Sequence, residues 1–525
     1  MNFTLSFNEF LPLAPVMIVA ITAIVVMILT SIKRHHSMIA TVAVLGLNAA
    51  VLQIIATALG WVGHQPTLGP VMGMFMVDSF TLFYQLMILI AALACCTLSH
   101  AYIERYQDHR EELYILMLFS VAGAMLMVAS THYASFFISL ELMSIPVYGL
   151  LAYTHQRAKS LEAGIKYLVL SATASAMLLM GMAYLYAYTG TLSFYQVADN
   201  VPSVVVLFQQ LLKQPFVILG LGLMLFAIAF KLSLAPFHKW TPDVYQGAPA
   251  PIATFLATAA KVATIGFFIR YLLSSGVILV PSMQVMLIIL AVASIIMGNI
   301  LALRQNNLKR ILGYSSIAHF GYLLLAPISL LHDSLISVTM YVLTYVLTTI
   351  GAFGVVTLMS SPYKGEQDAD SLDSYRGIFW QYPVLTATLT VMMLSLAGIP
   401  LTAGFIAKFL IVKDIISGGS WFLAAMLIIG SGIGLFYYLR VMITLYKKPQ
   451  DHAEHLPIAH WGQRAGGVMV LIAAFLVLVM GVYPDPILNL IQQVQIVSPL
   501  HDYLNYLAQT GGAEMGGQMG HGHQH

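Results

Sequence analysis

Three lysines and one glutamate lie inside long apolar stretches of the sequence. They are Lys231 in FAIAFKLSLAPFHKW, Lys261 in TFLATAAKVATIGFF, Lys408 in LSLAGIPLTAGFIAKF and Glu141 in SFFISLELMSIPVYGL. A lysine at the centre of a bilayer costs at least about 2.5–3.5 kcal/mol, so such residues usually serve a function. Ammonium and carboxylate groups gain and lose protons, and the pattern therefore predicts proton transfer within a membrane.

Glu141 is the only carboxylate well inside an apolar stretch, and a buried lysine is its natural partner. A nearby carboxylate stabilises the ammonium form of lysine, whereas burial alone favours the neutral amine. A Glu–Lys pair that forms and separates is therefore a proton switch. A buried ion pair that only holds helices together is the alternative that the residues leave open.

Helix-breaking residues lie beside two of the lysines. Pro236 follows Lys231 by five residues and cannot donate a hydrogen bond to the carbonyl at position 232. The run LAGIPLTAG stands just before Lys408. We expect broken helices at both places, as in transporters that build ion sites from half-helices.

The spacing of these residues predicts an internal repeat. Lys231 and Lys408 are 177 residues apart, and Glu141 is 178 residues from His319 in YSSIAHFGYLLLA. Helices 4–8 and 9–13 would then be two five-helix repeats, inverted because five is odd. His319 would then occupy, in the second repeat, the position that Glu141 has in the first. A histidine can pass a proton through either ring nitrogen. A hydrogen-bonded core histidine is the competing interpretation.

Lys261 lies on predicted helix 8, the last helix of the first repeat, next to the second half of the sequence. It has no acidic neighbour on its own predicted helix. A buried lysine without a counter-ion gives up its proton more readily. This position suits a relay point between two half-channels.

Composition excludes most other classes of protein. The 525 residues include only 23 Lys or Arg and 21 Asp or Glu, about 8% charged, and 59% are apolar. A soluble domain carries roughly 25% charged residues. A net charge of +2 spread along the chain also lacks the basic face of a nucleic-acid binder. We predict an all-α polytopic membrane protein.

Apolar runs predict about fourteen transmembrane helices. They lie near 11–31, 37–62, 74–98, 113–130, 133–153, 164–188, 206–232, 250–273, 280–303, 311–330, 334–359, 383–413, 420–446 and 467–491. Loops after odd-numbered spans hold sixteen of the 23 Lys and Arg residues. The positive-inside rule places these loops in the cytoplasm and both termini outside.

The predicted organisation follows from these spans. Helices 1–3 occupy 1–111, the first repeat 112–274, the second repeat 275–447, the helix 14 region 448–495 and a polar His-bearing tail 496–525. The acidic residues of the loop after helix 11 are predicted to form a solvated face or a docking surface; they are Glu366, Asp368, Asp370 and Asp373. Asp78 and Asp243, near span ends, are expected to be solvated.

No cofactor or metal site is predicted in the chain. Cys95 and Cys96 are adjacent, and no second pair completes a zinc or iron–sulfur ligand set. The sequence has neither a Gly-rich dinucleotide fingerprint nor a Walker A loop. Any redox or ATP-driven chemistry would therefore take place in another chain.

Four segments resemble a known family. LSLAPFHKWTPDVYQGAPAPIATFLATAAK, LKRILGYSSIAHFGYLLLA, TTIGAFGVVTLMSSPY and VMMLSLAGIPLTAGFIAKF are similar to the antiporter-like subunits of bacterial proton-translocating NADH:quinone oxidoreductase, respiratory complex I. The similarity runs from about residue 75 to 490. Subunit M of that family usually has glutamate where Lys408 stands, and nothing after residue 491 provides the lateral helix of subunit L, so the subunit N group is the most similar.

The resemblance implies a proton channel in a bacterial inner-membrane complex. The family's charged positions fall on Glu141, Lys231, Lys261 and Lys408, and the motif containing His319 is similar to that of the N group. NADH, FMN, iron–sulfur clusters and quinone would belong to partner subunits, and subunit M and small membrane subunits would be neighbours. A stand-alone cation/proton antiporter and a structural scaffold are the competing functions.

Overall fold

The computed structural model describes residues 7–60, 68–104, 109–194, 214–329, 334–360, 368–449 and 460–497. The described chain is almost wholly helical, which confirms the predicted fold class. Its helices are α1 (Ala14–Ile32), α2 (His36–Ala58), α3 (Ser79–Ile103), α4 (Glu112–Ala129), α5 (Tyr133–Leu151), α6 (Ala158–Thr189), α7 (Pro215–Leu232), α8 (Trp240–Gly247), α9 (Ala250–Ala257), α10 (Ala259–Ser275), α11 (Pro281–Leu303), α12 (Leu308–Ile328), α13 (Ser334–Met359), α14 (Pro383–Ala397), α15 (Ala403–Ser417), α16 (Trp421–Tyr446), α17 (Ala465–Val482) and α18 (Asp485–Gln492). One antiparallel hairpin pairs β1 (Gly69–Val71) with β2 (Phe75–Val77), and short 3₁₀ helices cover Phe7–Leu13, Val277–Leu279, Leu372–Tyr375, Ile378–Trp380 and Trp461–Gln463.

The number of membrane crossings agrees with the prediction. Thirteen helical segments of the described chain are long and apolar enough to cross a bilayer, and α14 with α15 supplies a fourteenth crossing in two halves. Several boundaries differ by four residues or more, among them the start of α6 at Ala158 rather than 164, and two of the differences have a clear local cause. Span 3 begins at Ser79 rather than 74, because residues 75–77 belong to β2. Span 14 ends at Val482 rather than 491, because Pro484 and Pro486 interrupt it and begin the separate helix α18.

Both predicted helix breaks are present. In span 7, α7 ends at Leu232, Ser233 takes a left-handed φ of 64°, and a helix resumes only at Trp240. In span 12, α14 ends before Gly398, whose φ is 80°, and α15 begins at Ala403. Each break frees the carbonyl groups at the end of the preceding half-helix from helical hydrogen bonding.

A third break interrupts span 8. Thr258, with φ −112° and ψ −83°, separates α9 from α10. The hydroxyls of Thr254 and Thr258 donate to the carbonyls of Ala250 and Thr254, at 2.9 and 2.7 Å. No Gly or Pro marks this place, and it was not predicted. Lys231, Lys261 and Lys408 therefore all belong to helices that begin or end at a break.

The interior of the bundle is built around α9–α10 and α13. The apolar windows of both segments are wholly buried, and those of α3 and α12 are mostly buried. The outer helices α1, α2, α6, α11, α16 and α17 each leave more than half of such a window unburied. Large apolar side chains such as Ile21, Leu52 and Phe436 are exposed on them, as expected of a surface that faces lipid.

A buried ion cluster joins four chain segments at one face of the bundle. The Asp368 carboxylate accepts hydrogen bonds from Arg157 and Lys309, both at 2.8 Å, and from the Tyr102 hydroxyl at 2.7 Å. Burial by itself raises the pKa of this carboxyl, but the charges of Lys309 and Arg157 outweigh burial and hold the pKa to about 2. The cluster ties the end of α3 and the start of α6 to the start of α12.

The prediction for the acidic loop was therefore wrong at two positions. Asp368 and Asp370 are buried, at 5% and 6% exposure, whereas Asp373 is exposed. Glu366 lies outside the described residues. The loop is drawn inward because Lys309, fully buried at the start of α12, requires a counter-charge.

Replacement of Asp368 by asparagine should destabilise the fold. Lys309 would be left as a buried charge without its carboxylate, and breaking one side of a buried pair costs about 3–5 kcal/mol. Thermal unfolding in detergent should show this loss, whereas Asp373→Asn in the same loop should unfold as the wild type does. The stabilisation is present above the ordinary carboxyl pKa of about 4 and is lost as pH falls through about 2. Equal unfolding temperatures for the two variants would contradict the role of the cluster.

A second buried pair lies at the opposite face, at the start of α3 and the end of α10. Arg270 contacts both carboxylate oxygens of Asp78, at 2.7 and 3.1 Å, and the Val497 backbone N–H donates to the same carboxylate at 2.9 Å. Asp78 is thus buried rather than solvated, and its pKa is lowered by Arg270 despite the opposing effect of burial. Asp243 is partly exposed and contacts Lys166.

Candidate functional site

Lys231 is held at the end of α7 by two serine hydroxyls. Its Nζ donates to Ser144 Oγ of α5 at 2.8 Å and to Ser171 Oγ of α6 at 2.7 Å. The ring of Tyr167 lies 5.5 Å from the ammonium, and the side chain is 6% exposed. Because α7 ends at Leu232, the Lys231 ammonium lies at the end of a half-helix and not in the middle of an unbroken one.

Glu141 lies near Lys231 but is not in contact with it. Its carboxylate accepts a hydrogen bond from Ser175 Oγ of α6 at 2.6 Å. In the described part of the chain, no ion pair within 4.0 Å joins Glu141 to Lys231. Glu141 is half-buried, beside the exposed Ile138 and Ile145 on α5. The predicted Glu–Lys pair is thus separated in this structure, and serine hydroxyls contact each of the two charges.

Lys261 uses the carbonyl that the break in span 7 sets free. Its Nζ donates to the Leu232 carbonyl at 3.3 Å and to Ser316 Oγ of α12 at 2.7 Å. The face of Phe320 lies 4.6 Å from the ammonium. Pro236 cannot donate to the Leu232 carbonyl, so this oxygen is available to a lysine from another helix. The second lysine is therefore positioned by the break beside the first.

His319 is held between two tyrosines. Its Nδ1 lies 2.6 Å from the Tyr341 hydroxyl and its Nε2 lies 3.1 Å from the Tyr438 hydroxyl. Ser316, which accepts from Lys261, is three residues before His319 on α12 and also accepts from Tyr345 at 2.7 Å. Residues three apart lie on the same helix face. Lys261 and the histidine thus each contact hydroxyl groups, and Ser316 and His319 share one face of α12.

Lys408 occupies the break in span 12. Its Nζ donates to the carbonyls of Leu396 and Ala397, both at 3.0 Å, which are the last carbonyls of α14. The negative end of the α14 dipole stabilises a positive charge at this point. A small cavity of about 10 Å³ lies between Lys408 and His319, with room for about one water molecule.

The predicted site residues form a row through the bundle. Glu141 and Lys231 lie at one end, Lys261 in the middle, and His319 and Lys408 at the other. A second cavity of about 10 Å³ lies beside Lys231, Ser175 and Thr264, but most of its lining is apolar. The titratable groups thus have hydroxyls beside them, and the cavity between His319 and Lys408 fits a single water, an arrangement that can carry protons in steps.

Sequence reasoning missed the hydroxyl groups of the row. They are Ser144, Ser171, Ser175, Ser316, Tyr341, Tyr345 and Tyr438. Membrane helices are rich in serine and threonine at ordinary interfaces, so composition gave no reason to single them out. Spacing held a usable signal, because Ser144 and Ser316 lie three residues from Glu141 and His319 on the same helices.

The comparisons with known proteins agree with this geometry. A family model described as "NADH:quinone oxidoreductase/Mrp antiporter, TM" matches residues 130–434, more than half of the chain. The chain belongs to this family. The match begins just before α5 and ends within α16, so it contains all five predicted site residues.

Curated members of the antiporter family are similar over nearly the whole chain. NADH-quinone oxidoreductase subunit N of Acinetobacter baumannii (strain AB0057) is 69% identical, over 96% of this chain and 99% of that protein. Subunit N of Psychrobacter arcticus is 51% identical, over 91% and 96%. The predicted resemblance to the subunit N group is confirmed.

Solved structures of the family have the same fold. A chain of respiratory complex I from Thermus thermophilus with bound Aureothin is 29% identical, with a TM-score of 0.75 over 90% of this chain and 98% of that one. A chain of the Mrp complex from Dietzia sp. DQ12-45-1b is 20% identical, with a TM-score of 0.79 over 96% and 99%. The second likeness concerns the fold alone.

Proposed function

We propose that this chain is a proton-translocating membrane-arm subunit of a bacterial NADH:quinone oxidoreductase. The observation that carries the proposal is the buried row from Glu141 to Lys408, in which each lysine is hydrogen-bonded at a helix break. Three buried lysines are costly in a membrane protein, and a protein that served only as a structural scaffold would not need them. The relatives named for this enzyme support the same reading.

The proposed route begins at the cytoplasmic side. A proton enters by way of Lys231 and loads Lys261 after the Glu141–Lys231 pair opens. Lys261 relays it through Ser316 and His319 to Lys408, from which it leaves to the periplasm. Moving one charge against about 150 mV costs roughly 3.5 kcal/mol, which quinone reduction in partner subunits would supply.

The chain would act as a non-redox subunit. NADH, FMN, iron–sulfur clusters and quinone would be bound by its partners, among them an antiporter-like subunit M and small membrane subunits. The inner membrane is the expected location, with both termini in the periplasm as the Lys and Arg distribution predicts. The His-bearing tail over 498–525 lies outside the described residues.

Native electrophoresis of gently solubilised membranes tests the assembly. We expect the chain to migrate in a large complex that stains for NADH oxidation. Deletion of the gene should abolish NADH-driven acidification of inverted vesicles. Migration of the chain without NADH-oxidising activity would contradict the proposal and favour a stand-alone antiporter.

Sodium dependence separates the two candidates further. Hard cations such as Na⁺ favour several oxygen ligands. The hydrogen-bonded partner described for the Glu141 carboxylate is the single hydroxyl of Ser175. We therefore expect vesicle acidification to be unchanged when Na⁺ is replaced by choline, whereas an antiporter would lose its exchange activity.

A further inference from the structure

Serine hydroxyls of α5 and α6 lie between Glu141 and Lys231. Ser144 and Ser171 hold Lys231, at 2.8 and 2.7 Å, and Ser175 holds Glu141 at 2.6 Å. Ser171 and Ser175 are four residues apart on α6, so they lie on one face about 5–6 Å apart at Cβ. The two charges are therefore kept about one helical turn apart.

These hydroxyls contact the charged pair rather than the carbonyls of their own helices, and Ser171 Oγ also shares a hydrogen bond of 2.9 Å with the Tyr148 hydroxyl of α5. A serine or threonine inside a helix often donates to the carbonyl four residues earlier. Thr173, on the same helix, does so to Val169 at 2.9 Å. In the described contacts, none of the three serines donates to a helix carbonyl. Ser144 and Ser171 are almost completely buried, at 1% and 0% exposure, so their positions are fixed by these bonds.

We propose that Ser144, Ser171 and Ser175, which we call the serine bridge, are positioning residues that hold Glu141 and Lys231 apart and set how readily the pair closes. The inference rests on the proposed function, in which opening of this pair lets the proton move on. Lys231 must leave two hydroxyls before it can contact Glu141. Hydrogen bonds to charged groups are the strong ones, so each serine favours the open state.

Loss of one serine should shift the pair towards contact. In Ser171→Ala, Lys231 keeps Ser144 alone, and the open state should fall about tenfold relative to the closed one. A closed pair shields the Glu141 carboxylate and retains the proton of Lys231. Proton uptake per NADH oxidised should fall accordingly.

The state of the pair can be measured without relying on pumping. Inverted vesicles that contain the whole complex are treated with a hydrophobic carbodiimide, and modification of Glu141 is followed by peptide mass spectrometry. Glu141 is half-buried towards the outer surface of α5, where an apolar reagent reaches it. We expect Ser171→Ala and Ser144→Ala to slow modification about tenfold. Thr173→Val, an exposed position on the same helix, is the matched control and should react at the wild-type rate.

The background variant Lys231→Ala separates positioning from packing. Without the ammonium there is nothing for Glu141 to close on, so Ser171→Ala should no longer slow its modification. Equal slowing in both backgrounds, or a wild-type rate in Ser171→Ala itself, would overturn the serine bridge. Normal proton uptake in Lys231→Ala would instead overturn the proposed function, and the two failures are therefore distinguishable.

Discussion

Lys231→Ala should stop proton translocation through this chain while leaving the chain in its complex. The two groups that hold the ammonium are serine hydroxyls, which do not take up a proton at neutral pH. Without the lysine, a proton would have to pass this position in the membrane with no side chain to carry it. The cost of a bare charge at mid-membrane is at least about 2.5–3.5 kcal/mol, so the rate should fall on the order of 100-fold.

Assembly should survive the Lys231→Ala change. Removal of a buried charge relieves an insertion cost, and the freed hydroxyls of Ser144 and Ser171 can turn to carbonyls of their own helices. Acidification of inverted vesicles, driven by NADH and normalised to the chain present in the native complex, is the measurement. Lys239→Ala is the matched control, because Lys239 is exposed just beyond the same helix break. Acidification at the wild-type rate in Lys231→Ala would contradict a relay role for this lysine.

The charged residues of the site could be predicted from the sequence because the membrane makes them conspicuous. A lysine within an apolar run has no ordinary structural explanation, and the Pro and Gly residues near Lys231 and Lys408 predict breaks by steric necessity. The structure places both lysines at those breaks. The inverted relation between the two repeats, and the proposed domain bounds, stay predictions.

The hydrogen-bond partners could not be predicted in the same way. Lys261 and Lys408 are held by backbone carbonyls, which every residue possesses and which no pattern distinguishes. The kink at Thr258 carries no Gly or Pro. Asp368 was misread for a related reason, since its partners Arg157 and Lys309 are 211 and 59 residues away along the chain. Long-range pairing of this kind depends on the packed bundle.

The arrangement of Glu141 and Lys231 shows where chemical reasoning was incomplete. Opposite charges in an apolar environment attract strongly, and the sequence predicted a pair that forms and separates without indicating which groups hold it open. Three serines nevertheless satisfy the two ions separately. A hydrogen-bonded ion in a protein interior can be stable without an ionic partner, provided that each charge has its own polar neighbours.

Gly404→Ala should have the other large effect, because α15 begins in contact with α14. A Cβ at position 404 would lie 1.8 Å from the Ser395 carbonyl oxygen. A backbone atom cannot turn away, so α15 must shift outward, and overpacking of this kind costs typically about 1–3 kcal/mol. The next two carbonyls of α14, those of Leu396 and Ala397, are the ones that hold Lys408. The shift should therefore detach the lysine from its acceptors.

We expect Gly404→Ala to lower both the amount of assembled chain and the acidification rate per assembled chain, the latter by roughly tenfold or more. Gly432→Ala in α16 is the matched control, since nothing lies within 4 Å of the added Cβ there. That control should be neutral or slightly stabilising, because alanine favours helix by about 1 kcal/mol over glycine.

A double variant identifies which atom is responsible for the Gly404→Ala defect. Ser395→Ala removes the hydroxyl that accepts from the Gly404 N–H at 3.1 Å, but it leaves the carbonyl in place. If the defect arises from the backbone clash, Gly404→Ala with Ser395→Ala must remain as poor as Gly404→Ala alone. Recovery in the double variant would assign the clash to the side chain. Normal acidification by assembled Gly404→Ala would show that Lys408 does not depend on the closeness of the two half-helices.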